Sequence, residues 1–279
     1  MDRCAPPGPF TADASYRRAA RTVVVGPSVK GLMPMYSAVP IVEGFPAVSA
    51  SHGGFGWSSL WLLEDGDRRV LLDAGPPAYI PLIHEGLEQR GLTPADITDV
   101  LVTHLHWDHV GNVTMFPHAT TWVGEEELAW AAAQAPGTTF VPDLHVRELL
   151  RRDEGVERVR PGQEVLPGVH AVASPGHTPG HLAFHVERAE EQLLFAGDSV
   201  KNIRELTTSR AHSTMDEDAS TRTIDRLRSV LADTSGLLVP GHDVALRLVD
   251  GSPQRCRPQR AQIGYFAEAA GPEQDRSIA

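Results

Sequence analysis

The stretch Thr103-His104-Leu105-His106-Trp107-Asp108-His109 sets three imidazoles and a carboxylate side by side, directly after the apolar run Val100, Leu101 and Val102. A strand that delivers His-x-His-x-Asp-His into a loop offers N and O donors suited to a divalent cation. A polar loop that is merely rich in histidine would need no partners elsewhere in the chain. Here three later stretches follow one grammar, an apolar strand ending at a metal-capable side chain. They are Ser174-Pro175-Gly176-His177, Phe195-Ala196-Gly197-Asp198 and Val239-Pro240-Gly241-His242. Glycine precedes each candidate, which permits a tight turn and close backbone approach. Strand ends are rigid platforms, and metal ligands need tight placement. The candidates are His104, His106, His109, His177 and His242 with Asp108 and Asp198. Seven donors are too many for one tetrahedral ion; they suit two ions that share a carboxylate and leave room for water.

The elements that must position these residues are legible in outline. Residues 58–64 and 69–73 read as strands joined by the hairpin signal Asp65-Gly66-Asp67. Residues 79–90 carry helical spacing closed by Gly91, and Thr93-Pro94 offers a second helix start. Strands follow at 99–103 and 119–123, then an Ala-rich helix at 125–134 whose first-turn acids suit the helix dipole. A helix is expected near 143–152. Strands are expected at 169–173, 182–186, 193–196, 237–239 and 244–248, with an amphipathic helix at 220–232. A further strand is expected at 22–25. Residues 1–21 read as a flexible N-terminal arm, 22–251 as one domain, and 252–279 as a polar C-terminal tail with one short amphipathic turn at Ile263, Tyr265 and Phe266. Strands first and helices interspersed later suit an α/β fold, two sheets sandwiched between helices. Met33, Met35, Tyr36, Phe45, Phe55 and Trp57 sit among Gly and Pro, as inward-facing strand residues or as a wall over a pocket.

The ordered set His-x-His-x-Asp-His, Gly-His, Gly-Asp, Gly-His resembles the metallo-β-lactamase-fold superfamily over roughly 22–251. The resemblance implies an αββα sandwich, two mixed sheets flanked by helices, with the site at the sheet edges. It also implies two divalent ions, zinc first and Mn, Co or Fe as alternatives. Carried over by position, His104, His106 and His177 would hold one ion, Asp108, His109 and His242 the other, and Asp198 would bridge them. Asp73, in Leu72-Asp73-Ala74-Gly75, matches a position that braces the His loop. His181 is not a ligand in that pattern. A bridging hydroxide would attack a lactone, ester or thioester carbonyl, and Asp108 could pass a proton to the leaving group.

Omissions narrow the resemblance. Two-zinc β-lactamases of this fold commonly carry Cys where this chain has Asp198, and they are exported. Hydroxyacylglutathione hydrolases carry a helical C-terminal domain, for which residues 243–279 are expected to be too few. RNA-processing members insert a domain where the intervals after His177 and Asp198 are short. The layout is most similar to compact N-acyl homoserine lactonases, with one departure: those place a Tyr three residues after the bridging Asp, where this chain has Lys201. Lys201 is therefore a candidate catalytic residue, a point charge toward a carbonyl or an anionic substrate, or else a surface lysine. Phosphodiester or phosphotriester hydrolysis on the same ion pair, and oxidation at a single iron as in persulfide dioxygenases, stay open as alternatives. So does a metal-binding or interaction role on an old enzyme fold.

The 279 residues are 41% hydrophobic and 22% charged, ordinary for a globular protein that can bury a sizeable core. A net charge of −11, relieved only by the loose cluster Arg17, Arg18 and Arg21, disfavours nucleic acid. Cys4 and Cys256, the only cysteines, form neither a disulfide framework nor a thiolate zinc site. No stretch approaches a membrane span, and the Pro-rich start lacks a signal-peptide core, so a cytoplasmic location is expected. The expected partner is a small-molecule substrate, with no membrane and with a homodimer left open. His52 and His118 are candidates for pocket loops, more commonly ordinary hydrogen-bonded or exposed histidines.

Overall fold

Strands with large aliphatic residues on both faces need cover on both sides. The chain supplies it with two sheets back to back and helices outside each. The computed structural model describes residues 36–49, 53–188, 191–266 and 273–278. The arm at 1–21, the strand expected at 22–25, Met33, Met35 and His52 lie outside the described residues.

The first half contributes β1 (Ser37–Val42), the short pair β2 (Val48–Ser49) and β3 (Gly53–Gly54), β4 (Leu60–Asp65), β5 (Arg68–Leu72), α1 (Ile80–Glu88) and β6 (Asp99–Val102). It continues with α2 (Trp107–Val110), β7 (Thr120–Gly124), α3 (Glu125–Ala132), α4 (Asp143–Arg151) and β8 (Val156–Val159). Its sheet runs β1-β4-β5-β6-β7-β8, antiparallel up to β5 and parallel thereafter. The second half contributes β9 (Glu164–Leu166), β10 (Val169–Ala173), β11 (Leu182–Val186), β12 (Leu193–Gly197), α5 (Ile203–Thr208) and α6 (Glu217–Thr234). It ends with β13 (Leu237–Pro240), β14 (Leu246–Val249), β15 (Ser252–Arg255) and a separate hairpin of β16 (Ala261–Phe266) and β17 (Glu273–Ile278). The second sheet is ordered β15-β14-β13-β12-β11-β10-β9, with only β12 and β13 parallel.

Between the sheets lie Leu63, Leu72 and Leu101 with Phe184, Phe195 and Val239. Alternation along each strand sends the neighbouring residues outward. Leu62, Leu71 and Val100 meet Ile83 and Leu87 of α1, and Leu194 and Leu238 meet Ile224, Leu227 and Leu231 of α6. The result is an αββα sandwich, as expected.

Several local expectations change. The helix start at Thr93-Pro94 goes no further than a single 3-10 turn (Pro94–Asp96), closed by the Asp96 carboxylate accepting from the Thr93 N–H and hydroxyl. Gly91 ends α1 as expected: at φ +70° it donates its N–H to Glu88, while Leu92 donates to Leu87. The strand expected from 244 starts at Leu246, because the Val244 N–H is drawn to the Asp243 carboxylate. The ordered sheet passes the boundary expected at 251, since β15 pairs with β14 from Val249↔Ser252 to Leu246↔Arg255. The turn expected at Ile263, Tyr265 and Phe266 is instead strand β16, paired antiparallel with β17.

Candidate metal centre

The site forms where strand ends meet. Asp73 follows β5, His104 to His109 follow β6 and enter α2, His177 lies beyond β10, Asp198 follows β12, and His242 follows β13. Three donor groups converge, each with its ligand atoms within 4.8 Å of one another: His104, His106 and His177; His104, His109 and Asp198; and Asp108, His109 and His242.

Asp198 stands between the two ends of the constellation. Its Oδ2 is 3.3 Å from His177 Nε2, and its Oδ1 is 3.2 Å from His109 Nε2 and 3.1 Å from His242 Nε2. Asp108 Oδ2 lies 3.5 Å from His242 Nε2 and 3.7 Å from His109 Nε2, while His177 Nε2 is 2.9 Å from His106 Nδ1. Among the described residues, His104 Nε2, His109 Nε2 and Asp198 Oδ1 are buried without any hydrogen-bond partner. Buried polar atoms are almost always satisfied. Three orphans pointing into one space fit a cation as their missing partner.

The far ring nitrogens show how this is arranged. His109 Nδ1 is 2.8 Å from Asp73 Oδ2, His177 Nδ1 is 3.0 Å from the Ser213 carbonyl, and His104 Nδ1 is 3.1 Å from Thr103 Oγ1. Acceptors at Asp73 and Ser213 take the Nδ1 proton, so that Nε2 is the nitrogen of each ring that faces the other donors.

Electrostatics divide the constellation. Burial drives His104 and His177 well below the ordinary imidazole range and pulls His106 down to about 4, so these three are neutral donors. Burial also opposes protonation of His109 and His242, but Asp198 and Asp108 outweigh it and raise both, with Asp73 adding to the effect at His109. For Asp198, burial pushes upward and His242, His109 and His177 overcome it, holding the carboxyl well below its usual range.

The glycines before the ligands have spatial reasons. Gly197 adopts φ +51°, and a Cβ there would stand 2.8 Å from Thr103 Oγ1. A Cβ on Gly241 would stand 2.0 Å from Asp198 Oδ1. Both loops come so close that only glycine fits.

Sequence reasoning missed the groups that tie the loops together. Glu127 reads as a dipole-complementing acid of α3, yet it is completely buried. Its Oε1 accepts the Leu105 N–H at 2.9 Å, and its Oε2 accepts the Thr178 hydroxyl at 2.8 Å and the Gly180 N–H at 3.2 Å. One carboxylate thus joins the His104–His109 loop to the His177 loop. Ser58 donates its hydroxyl to the Asp108 carbonyl, and Ser59 to that of Pro240 at 2.6 Å. Asp243, also buried, holds Arg255 through Nε at 2.8 Å and through a terminal nitrogen at 2.9 Å. A local signal existed only for Asp243, which is adjacent to a candidate ligand.

Lys201 is only 8% exposed, so the surface alternative is set aside. Its ammonium is 3.4 Å from the Asp198 carbonyl and 3.5 Å from Glu205 Oε1. His181 stacks on His104 with ring centroids 4.8 Å apart and hydrogen-bonds Ser174, so it packs behind the constellation. His118 is exposed. Phe55 stacks on Trp57, and Phe45 meets the edge of Trp57. Between them Gly56 abuts the Trp107 ring, where a Cβ would come within 2.2 Å. Phe140, half exposed, lies 5.5 Å from the His106 ring. Phe140 thus lies beside His106, and the Phe45, Phe55 and Trp57 cluster adjoins Trp107 through Gly56.

The model of the metallo-beta-lactamase superfamily matches residues 53–242, so the chain belongs to that superfamily. The metallo-beta-lactamase domain-containing protein 1 of Xenopus laevis is 28% identical over 188 residues, 67% of this chain and 71% of that protein. An N-acyl homoserine lactonase of Bacillus sp is 25% identical over 159 residues, 57% of this chain and 60% of that one. A hydroxyacylglutathione hydrolase of Pseudomonas savastanoi is 33% identical over 145 residues, 50% and 47% of the two chains. The chain spans less than two thirds of the length of these two enzymes. Among solved structures, B. thuringiensis AiiA with N-decanoyl-L-homoserine at its active site has a TM-score of 0.59 at 20% identity, covering 76% of this chain and 95% of that one. That likeness speaks for the fold. Among the described residues no helix is long and apolar enough to cross a membrane.

Proposed function

We propose that this member of the metallo-beta-lactamase superfamily is a dinuclear metal-dependent hydrolase that cleaves a lactone, ester or thioester of a small molecule. The observation that carries the reading is Asp198, whose two oxygens face different imidazole sets while Oδ1 has no hydrogen-bond partner. His104, His106 and His177 would hold one ion, Asp108, His109 and His242 the other, and Asp198 both. Zinc is the leading candidate for this nitrogen-rich set, with Mn, Co and Fe as alternatives. When bound, such a pair makes water acidic enough to ionise near neutrality and polarises a carbonyl oxygen.

The chain's own residues supply the remainder. Asp108, 9% exposed, keeps a carboxylate at the end of the constellation nearest Trp107 and can carry a proton to the leaving group. Lys201 holds a positive charge beside Asp198, suited to a carbonyl oxygen or an anionic substituent. The Phe45, Phe55 and Trp57 cluster, with Phe140, offers apolar surface for an acyl or ring substituent.

Elemental analysis of the purified chain, followed by a panel of lactones, aryl esters, thioesters and bis-aryl phosphates, tests the reading. Two Zn, Mn or Co ions per chain with carboxyl-ester or lactone turnover is the expected result. One iron per chain, or phosphodiesterase activity far above any carboxyl-ester activity, overturns it.

A further inference from the structure

Beyond the ligands themselves, we propose that Arg255 and Asp243 form a positioning pair that fixes His242 against Asp198 and thereby sets the affinity of the second ion. The inference rests on the assignment of His242 and Asp198 as ligands. It assigns a function to a segment beyond residue 242, where the family match ends.

Asp243 is 1% exposed and follows His242 directly. Its carboxylate accepts four hydrogen bonds. Oδ1 takes the Val244 N–H at 2.9 Å and Arg255 Nε at 2.8 Å; Oδ2 takes the Ile203 N–H at 3.1 Å and an Arg255 terminal nitrogen at 2.9 Å. Ile203 is the first residue of α5, five residues beyond Asp198, so the carboxylate clamps the His242 loop to the Asp198 loop. The clamp is reinforced where the Gly241 N–H meets the Gly197 carbonyl at 2.9 Å and the His242 N–H meets the Lys201 carbonyl at 2.8 Å.

A buried carboxylate keeps its charge only with a cation or a full set of donors, and a planar guanidinium meets it along two parallel bonds. Arg255 is the cation, 35% exposed at its side chain. It reaches Asp243 because β15 pairs Arg255 with Leu246, and the Cys256 N–H continues to the Ala245 carbonyl at 2.9 Å. The segment then reaches Glu43 and Gly44. Arg257 pairs with Glu43, and Gln259 donates to the Gly44 carbonyl at 2.6 Å. Gly44 in turn lies on His242, where a Cβ would stand 2.8 Å from the His242 Cα. No comparable clamp from this segment reaches His104, His106 or His177 among the hydrogen bonds of the described residues, which is why the effect should favour one ion over the other.

The test is metal titration of the full chain, first stripped of metal, with Co(II) and Zn(II), in wild type, Arg255→Ala and Arg255→Lys. Stepwise changes in the Co(II) absorption spectrum separate the two binding events, elemental analysis gives the total metal per chain, and circular dichroism reports the fold. The expected result is one ion bound as in wild type and the other weakened roughly tenfold to hundredfold in Arg255→Ala, the loss typical of outer partners of a ligand. Arg255→Lys, which keeps the charge without the fork, should fall between. If Arg255→Ala fails to fold, the split between the two ions is read in Arg255→Lys. Unchanged binding of both ions, or equal weakening of both, overturns the pair while leaving the proposed function intact. A wild-type chain that takes up fewer than two ions overturns both.

Discussion

Asp73 Oδ2 lies 2.8 Å from His109 Nδ1, with both side chains fully buried, and the same carboxylate accepts the Thr103 N–H at 2.7 Å and its hydroxyl at 2.9 Å. Asp73 can reach both because it sits at φ +62°, turning the chain sharply at the end of β5. One acid thus sets the start of the His loop and the orientation of its last imidazole. In Asp73→Asn an amide N–H must face one of these donors, so His109 loses its fixed tautomer. Binding of one ion should weaken roughly tenfold to hundredfold. Metal titration that shows both affinities unchanged would remove Asp73 from this role.

Proton release should distinguish the two ion sites. Asp198 and Asp108 raise His109 and His242 against their burial, so an ion arriving there must displace protons. His104, His106 and His177 are depressed by burial and are already neutral near pH 7. Calorimetry in buffers of different ionisation enthalpy should find proton release tied mainly to one ion, whose affinity climbs with pH. Equal release for both ions contradicts this division.

Glu127 gives a stability signature in the metal-free chain. Burial, largest among its influences, raises its carboxyl from 4.5 to about 7 despite three hydrogen-bond donors. The folded state therefore holds this proton more tightly than the unfolded state. Its contribution is complete below about 4.5 and is lost as pH rises through about 7. His106 and His181, lowered by burial to about 4 and about 3, act oppositely: their contribution is present above 6.5 and is lost as pH falls. Comparing Glu127→Gln with wild type isolates the first effect. The variant should gain stability relative to wild type as pH rises from 4.5 to 7, measured by urea unfolding. A difference that stays constant with pH rejects it.

Lys201→Ala removes the charge beside Asp198 and its contact to the Asp198 carbonyl while leaving every candidate ligand side chain in place. A hydrogen bond to a charged group contributes about 1.5–3 kcal/mol, so kcat/KM on the best substrate should fall roughly 10- to 100-fold. Metal content should stay at the wild-type level. Unchanged turnover would reduce Lys201 to a packing residue paired with Glu205.

Gly241→Ala drives a methyl group against Asp198 Oδ1. Overpacking of this kind costs about 1–3 kcal/mol, and it acts on the carboxylate that faces both donor sets. The variant should melt earlier and lose affinity for both ions together, in contrast to the single-site loss expected for Asp73→Asn. Normal binding of both ions would mean that the loop yields easily.

By itself the sequence determined the donors and their platforms. His104, His106, Asp108, His109, His177, Asp198 and His242 each stand just beyond an apolar strand, and a strand period with a glycine stop is a local signal. The αββα arrangement was legible for a related reason: strands apolar on both faces, interspersed with amphipathic helices, leave few other ways to cover them. Tertiary structure alone decided which groups hold the loops together. Glu127 lies in the first turn of α3 beside two other glutamates, and nothing local separates the buried one from its neighbours. Arg255 falls in a polar stretch whose order comes from pairing with β14, across a turn and against Asp243. Ligands are specified by what precedes them in the chain. Their braces are specified by what lies opposite in space, because a hydrogen bond depends on a distance that the chain order does not contain.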